Sequence, residues 1–113
     1  MPFELKGTIK DHYNAAGGAS SPLGEPTSDE LDAPGGGKYQ TFTGGVIYFY
    51  LPTGTFTVYG AIREAWEAQG GAGGPLGYPT SDEQDIDGGK ISHFQNGSIS
   101  YSFAENQVSI NQN

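Results

Sequence analysis

Paired acidic side chains recur in two loops of this chain, and they are the residues best suited to chemistry. Asp29 and Glu30 follow one Thr-Ser pair, and Asp82 and Glu83 follow another. Two carboxylates that flank a glycosidic bond can hydrolyse it, one as the acid and the other as the base or nucleophile. An active site duplicated together with its flanking residues is unusual, however. We therefore expect no enzyme, and we keep Asp29 and Asp82 as candidate hydrogen-bonding partners of a bound sugar.

The same acidic loops raise the question of a calcium site. Calcium takes about six to eight oxygen ligands from fixed loop positions. The stretch DIDG at 85–88 lacks the glutamate that completes an EF-hand, so we expect no metal site and no cofactor, with calcium kept as the alternative. The Thr-Ser-Asp segments after Pro26 and Pro79 are suited to capping backbone amides in a tight turn.

The two histidines do not suggest nucleophilic catalysis. No nucleophile-elbow pattern accompanies either His12 or His93. We predict both at the protein surface. Because His93 precedes Phe94, which we assign to the core, the His93 side chain points outward on its strand. It is therefore a candidate contact to a sugar hydroxyl.

The elements that position these residues occur twice, because the chain is an internal duplication with a period of about 53 residues. Residues 22–30 (PLGEPTSDE) match residues 75–83 (PLGYPTSDE) at every position except Glu25, whose counterpart is Tyr78. We predict a single domain, residues 1–113. Repeat one covers about 7–59 and repeat two about 60–110.

Each repeat predicts a short helix followed by a small antiparallel sheet. Apolar residues at helical spacing before a Gly-Gly pair indicate helices at 9–16 and 62–69. Turn signals at 43–45 and 95–97 indicate hairpins. The predicted strands are 38–42, 46–51 and 56–58 in repeat one, and 90–94, 98–103 and 108–110 in repeat two. Since one helix and one small sheet cannot close a core, we expect an α+β domain in which the repeats pack with pseudo-twofold symmetry.

Matching aromatic residues mark the core of each repeat. Tyr13 corresponds to Trp66 in the helices, and Phe42 corresponds to Phe94 in the strands. Size and apolarity are retained at these positions between copies that differ elsewhere, which is typical of core residues.

The middle strand of repeat two has one polar and one apolar face. Side chains alternate between the faces of a strand, so residues of one parity lie together. The polar face carries Ser98, Ser100 and Ser102, and the apolar face, which we assign to the core, carries Ile99, Tyr101 and Phe103.

The same register in repeat one directs tyrosines outward. Its inward residues are Ile47, Phe49 and Leu51, and its outward residues are Val46, Tyr48 and Tyr50. Two interpretations of this face stay open. Tyr48 and Tyr50 could form a platform on which sugar rings stack. Alternatively, the face meets the other repeat or a second chain.

The segments LGEP at 23–26 and LGYP at 76–79, each followed by Thr-Ser-Asp-Glu, resemble the LGFP repeat family. Such repeats are similar to the arrays appended to actinobacterial wall enzymes, including mycolyltransferases, and to secreted proteins held on wall polysaccharide. The resemblance implies a non-catalytic carbohydrate-binding module, lectin-like or anchoring, for arabinogalactan or peptidoglycan. Glu25 and Tyr78, at the aromatic third position of the motif, become candidate sugar contacts.

Composition limits the partners. Thirteen acidic against 5 basic residues give a formal net charge of -8, which argues against nucleic acid. No apolar run is long enough to insert into a membrane. We expect a glycan partner and a secreted or wall-associated protein, although the absence of a signal peptide leaves a cytosolic location open. The alternative function is a protein-interaction or structural module that forms a homodimer.

Overall fold

The computed structural model describes residues 3–112, which form two units of the same architecture. Each unit has one helix and a four-stranded antiparallel sheet whose strands are adjacent in chain order. Repeat one contains α1 (Gly7–Ala15), β1 (Leu31–Asp32), β2 (Lys38–Thr41), β3 (Gly45–Tyr50) and β4 (Gly54–Tyr59). Repeat two contains α2 (Gly60–Ala68), β5 (Gln84–Ile86), β6 (Gly89–Phe94), β7 (Gly97–Ser102) and β8 (Gln107–Gln112). The predicted α+β class and tandem duplication are confirmed.

Each sheet has one strand more than the sequence predicts. Strands β1 and β5 are short and exposed, so they lack the apolar alternation by which a strand is recognised. Both helices begin earlier than predicted, at Gly7 and Gly60. The φ angles of these glycines, 61° and 53°, let the chain turn from an extended segment into a helix.

The elements stack in four layers, in the order α1, sheet 1 (β1–β4), α2 and sheet 2 (β5–β8). Ile9 and Tyr13 of α1 share a core with Ile47 on one face of sheet 1. Ile62 and Trp66 of α2 lie in a larger core to which both sheets contribute. The other buried members of this larger core are Ala33, Val46, Tyr48, Val58, Leu76, Tyr78, Phe94 and Ile99.

The two repeats meet through different surfaces. Repeat one contributes the face of sheet 1 that bears Val46 and Val58, and repeat two contributes α2 with Ile62 and Trp66. The counterpart of α2, helix α1, covers the opposite face of sheet 1. A twofold axis would bring equivalent surfaces together. The predicted pseudo-twofold packing is therefore wrong, and the repeats stack head to tail as in a repeat array.

Strand β3 is covered on both faces, which corrects the predicted direction of its side chains. Val46 and Tyr48 are predicted to face outward, but they are buried against α2. Ile47 and Phe49 pack on the α1 side, as predicted. Leu51, predicted to point inward, lies past the end of β3 and is 83% exposed. The alternation holds, but the outward face is the contact to repeat two.

Strand β8 is the counterpart of β4, with a longer turn before it. Ile47 pairs with Thr57, and its counterpart Ile99 pairs with Ile110, so Thr57 and Ile110 occupy equivalent positions. The turn at 103–106 contains one residue more than the turn at 51–53. Phe103, predicted in the core, begins this turn and is 59% exposed.

Neither helix within residues 3–112 has the length and apolar character needed to cross a membrane.

Candidate functional site

The Leu-Gly-x-Pro segments are structural links between helix and hairpin. In repeat one the Tyr13 hydroxyl donates a hydrogen bond of 2.7 Å to the Gly24 carbonyl, and in repeat two the Trp66 indole N–H donates one of 3.0 Å to the Gly77 carbonyl. The leucine that precedes each glycine is buried in the core of its repeat. Matching aromatic positions in the helices therefore anchor matching loop carbonyls.

Asp29 and Asp82 also hold equivalent positions, each bound to a segment far upstream. The Asp29 carboxylate accepts a 2.9 Å hydrogen bond from the backbone N–H of Glu4, and Asp82 accepts one of the same length from Thr57. Each pair is separated by 25 residues, so these aspartates tie their loops to the extended chain before the helix. This contact is not the local turn cap that the sequence predicts.

Asp82 makes a second contact, which crosses the boundary between the repeats. His12 Nε2 lies 3.0 Å from Asp82 Oδ1 and 3.0 Å from Thr57 Oγ1. Burial opposes ionisation of Asp82, but the hydrogen bonds from His12 and Thr57 outweigh it and lower the pKa of the carboxyl. His12 is a half-buried residue of the inter-repeat contact, and not the free surface residue that the sequence predicts.

Tyr50 and Tyr78 come together, but as a contact between the repeats. Their rings stack with centroids 4.1 Å apart and an interplanar angle of 8°. Only 3% of Tyr78 is exposed, and its hydroxyl donates a hydrogen bond to the carbonyl of Pro34 in repeat one. This stack lies between the repeats, so the Tyr78 ring covers one face of Tyr50.

Tyr48 belongs to the same buried aromatic group. Its ring meets Trp66 edge to face at 4.9 Å and Tyr78 at 6.0 Å. Burial, reinforced by nearby Tyr39, raises the pKa of Tyr48 to about 12. Of the two interpretations of this face, the contact with the other repeat is the one that the structure shows.

The remaining predicted contacts lie apart from this group. Glu25 is exposed on the loop of repeat one. His93 is exposed on the face of sheet 2 that points away from α2, which we call the outer face of sheet 2. The predicted candidate residues therefore do not form one site.

A groove of about 330 Å³ opens where β4 leads into α2 beside sheet 2. Three aromatic residues, Tyr59, Tyr101 and Phe103, contribute to its lining. Glu83 and Lys90 are the charged residues in its lining. Because Tyr59 comes from repeat one and the others from repeat two, the groove exists only when the repeats are stacked. We call it the boundary groove.

A smaller hollow of about 240 Å³ continues the boundary groove. The two share Tyr59 and Glu83, and the hollow ends at the His12–Asp82 pair beside Thr57. The boundary groove thus has aromatic residues in its lining, and the adjacent hollow has hydrogen-bonding groups.

The acidic groups set the electrostatics of this surface. Burial, followed by the charges of Asp82 and Glu83, raises the pKa of Tyr59, so its hydroxyl stays protonated as a donor. Burial also raises the pKa of Glu83, while Lys90 acts to lower it. Lys90 is itself paired with Asp85. Within residues 3–112, no three or more acidic or histidine side chains come together in a way that could hold a metal ion.

Sequence reasoning missed the boundary groove because both repeats build it. The alternation along their strand predicts Tyr101 and Phe103 in the core, but Phe103 lies beyond the end of the strand. The one available signal was Tyr59, an aromatic residue whose counterpart at the same repeat position is Lys6.

The family model of the LGFP repeat matches residues 23–74 and 76–111. The chain belongs to the LGFP repeat family. No curated protein matches the chain.

The LGFP motif is explained by this architecture. Its glycine has a φ of 74° at Gly24 and 80° at Gly77, which favours glycine over all other residues. Its aromatic third position is a contact to the sheet of the preceding repeat, as Tyr78 shows against Tyr50. Glu25 occupies the same position in repeat one, where it is exposed.

Proposed function

We propose that this LGFP repeat protein is a non-catalytic carbohydrate-binding module and that its ligand lies in the boundary groove. The observation that carries the proposal is that three aromatic residues, Tyr59, Tyr101 and Phe103, line one groove together with the charged residues Glu83 and Lys90. Aromatic rings stack on the C–H faces of pyranoses, and charged groups at the edge of a pocket hydrogen-bond ring hydroxyls.

The size of the groove and the net charge of the chain favour a small neutral glycan segment as the ligand. Its volume of about 330 Å³ is at the lower end of ligand pockets and suits one or two sugar rings. A formal net charge of -8 disfavours polyanionic ligands. A neutral polysaccharide of the arabinogalactan type fits these limits, and a peptidoglycan fragment is the alternative ligand. Binding to a wall polymer would place the protein outside the cell.

The state of the carboxylates supports binding without hydrolysis. Glycoside hydrolysis needs one carboxyl that gives up a proton and a second that is free to act as base or nucleophile. The Asp82 carboxylate is engaged by His12 and by the Thr57 N–H, and its lowered pKa keeps it ionised, so it has no proton to give up. Glu83 then has no free partner in the boundary groove.

The proposal is tested by measuring binding to arabinogalactan oligosaccharides and to peptidoglycan fragments, by array and then by calorimetry. Phe103→Ala should weaken binding about three- to tenfold, because one aromatic residue of the lining is lost. Leu51→Ala is the matched control, since Leu51 is the counterpart of Phe103 in repeat one and is exposed away from the groove. EDTA should leave the affinity unchanged.

Two outcomes would reject the boundary groove as a sugar site. One is the absence of binding to every glycan tested. The other is an equal loss of affinity in Leu51→Ala and Phe103→Ala. A further substitution, Glu83→Gln, removes the charge from the groove and should change which glycan binds best.

A further inference from the structure

The last strand of sheet 2 is a free edge, and we propose that it pairs with the same strand of a second copy of this chain. Strand β8 is terminal in its sheet, and all six of its residues are exposed. Its sequence, QVSINQ, contains neither proline nor a charged residue, which are two of the features by which edge strands avoid pairing. The surface is therefore ready to accept another strand.

The equivalent edge in repeat one is already covered. The Thr57 N–H points away from β3 and donates to Asp82, while Thr57 Oγ1 lies 3.0 Å from His12 Nε2. Ile110 is the counterpart of Thr57 in the strand register, so its N–H points away from β7 in the same manner. Within residues 3–112, however, no group outside sheet 2 is hydrogen-bonded to β8.

The side chains of β8 suit an antiparallel pair of identical strands. Val108 and Ile110 lie on the α2 face of sheet 2 and are 37% and 39% exposed. A twofold axis through Ser109, perpendicular to the sheet, sets Val108 of each copy opposite Ile110 of the other. The rotation keeps both pairs on one face and joins the two sheets into a continuous sheet of eight strands.

The uncharged sequence of β8 and its ability to pair with itself point to a second copy as the occupant of this edge. Each chain carries a formal net charge of -8, so two copies repel one another over most of their surfaces. Strand β8 is uncharged, and its backbone groups are self-complementary in the antiparallel arrangement. Five paired residues span only about 17 Å, so the interface is small. We expect a dimer with a dissociation constant on the order of 10–100 µM.

The dimer is separate from the boundary groove, because no residue of β8 lines that groove. Each dimer would carry two grooves and so bind a polymeric glycan more tightly than the monomer does, without a change in affinity for a single sugar. Loss of the dimer and loss of sugar binding can therefore be distinguished.

Sedimentation of the full chain at increasing concentration tests the proposal. The wild type should shift from monomer to dimer, and Ile110→Lys should stay monomeric over the same range. Ile86→Lys is the matched control, because Ile86 is an exposed apolar residue on the opposite edge of sheet 2. Thermal melts should show that both variants fold. A monomeric wild type up to about 1 mM, or a dimer lost in Ile86→Lys and kept in Ile110→Lys, would overturn the proposal.

Disulfide cross-linking locates the axis. The chain has no cysteine, so Ser109→Cys introduces a single thiol beside the proposed axis. Residues facing each other in a pair without hydrogen bonds have Cα atoms about 4.5 Å apart, within the range of a disulfide. Ser109→Cys should form a covalent dimer on oxidation, whereas Ser100→Cys, one strand further in, should not. Equal cross-linking by the two variants would contradict pairing through β8.

Discussion

Asp82 is the residue at which the fold and the stacking of the repeats are most closely connected. Its counterpart Asp29 accepts a backbone hydrogen bond from Glu4, in the segment that precedes α1. Asp82 accepts the equivalent bond from Thr57, which belongs to the other repeat, and adds a contact to His12 on α1. One side chain thus joins the loop of repeat two to both a strand and a helix of repeat one.

This connection predicts a pH dependence of stability. Because the folded-state pKa of Asp82 lies below the ordinary value of 3.8, its contribution is complete above about pH 5 and is lost as the pH falls through the folded-state pKa. The free energy of unfolding of the wild type should therefore fall more steeply between about pH 5 and 3 than that of Asp82→Asn. Urea unfolding at several pH values measures both slopes.

Asp87→Asn is the control for this experiment, since Asp87 is exposed in the turn before β6. It should keep the wild-type slope. If Asp82→Asn also keeps that slope, the contact of Asp82 with His12 and Thr57 does not stabilise the folded chain.

At the scale of the elements, strand β3 and its counterpart β7 have the same strand pairing but different surroundings. The α2 face of sheet 1 carries Tyr48, packed edge to face on Trp66. The equivalent position on the outer face of sheet 2 is Ser100, opposite Ser109 on β8. The framework is shared, and the side chains differ because a helix covers only one of the two faces.

Exchanging residues between these strands tests that difference. Tyr48→Ser should lower the free energy of unfolding by about 3–5 kcal/mol, because it leaves a large cavity against α2. Ser100→Tyr should change it by no more than about 0.5 kcal/mol, since no helix or strand of residues 3–112 packs on that face. Urea unfolding of both variants measures the two effects. Similar costs at the two positions would mean that the outer face of sheet 2 is also covered in solution.

Local patterns were sufficient to predict the helices, the hairpins and the alternation along β3 and β7. They could not tell which face of β3 is exposed, because the burial of Tyr48 depends on a helix that begins at Gly60 in the other repeat. They missed β1 because its residues, Leu31 and Asp32, are both exposed. They also missed the boundary groove, because Tyr59 of repeat one and Tyr101 of repeat two line the same groove only after the repeats stack.

For the whole molecule, the head-to-tail stack places α2 between two sheets and polar surfaces at both ends. The exposed side of α1 carries Lys10, Asp11 and Asn14, and the outer face of sheet 2 carries serines. The two repeats thus form a short head-to-tail array. Stability in such an array depends on the contact between neighbouring units as well as on each unit.

Because α2 packs in a core to which both sheets contribute, we predict that both repeats unfold in one cooperative transition. Trp66, the sole tryptophan, lies on α2 with none of its surface exposed and stacks on Phe94 at 5.3 Å. Its fluorescence therefore reports the boundary between the repeats, while far-ultraviolet circular dichroism reports both sheets and both helices. In urea the two signals should change with the same midpoint and the same slope. A fluorescence transition that precedes the loss of secondary structure would show instead that the repeats separate before they unfold, and the boundary groove would then open below the unfolding midpoint.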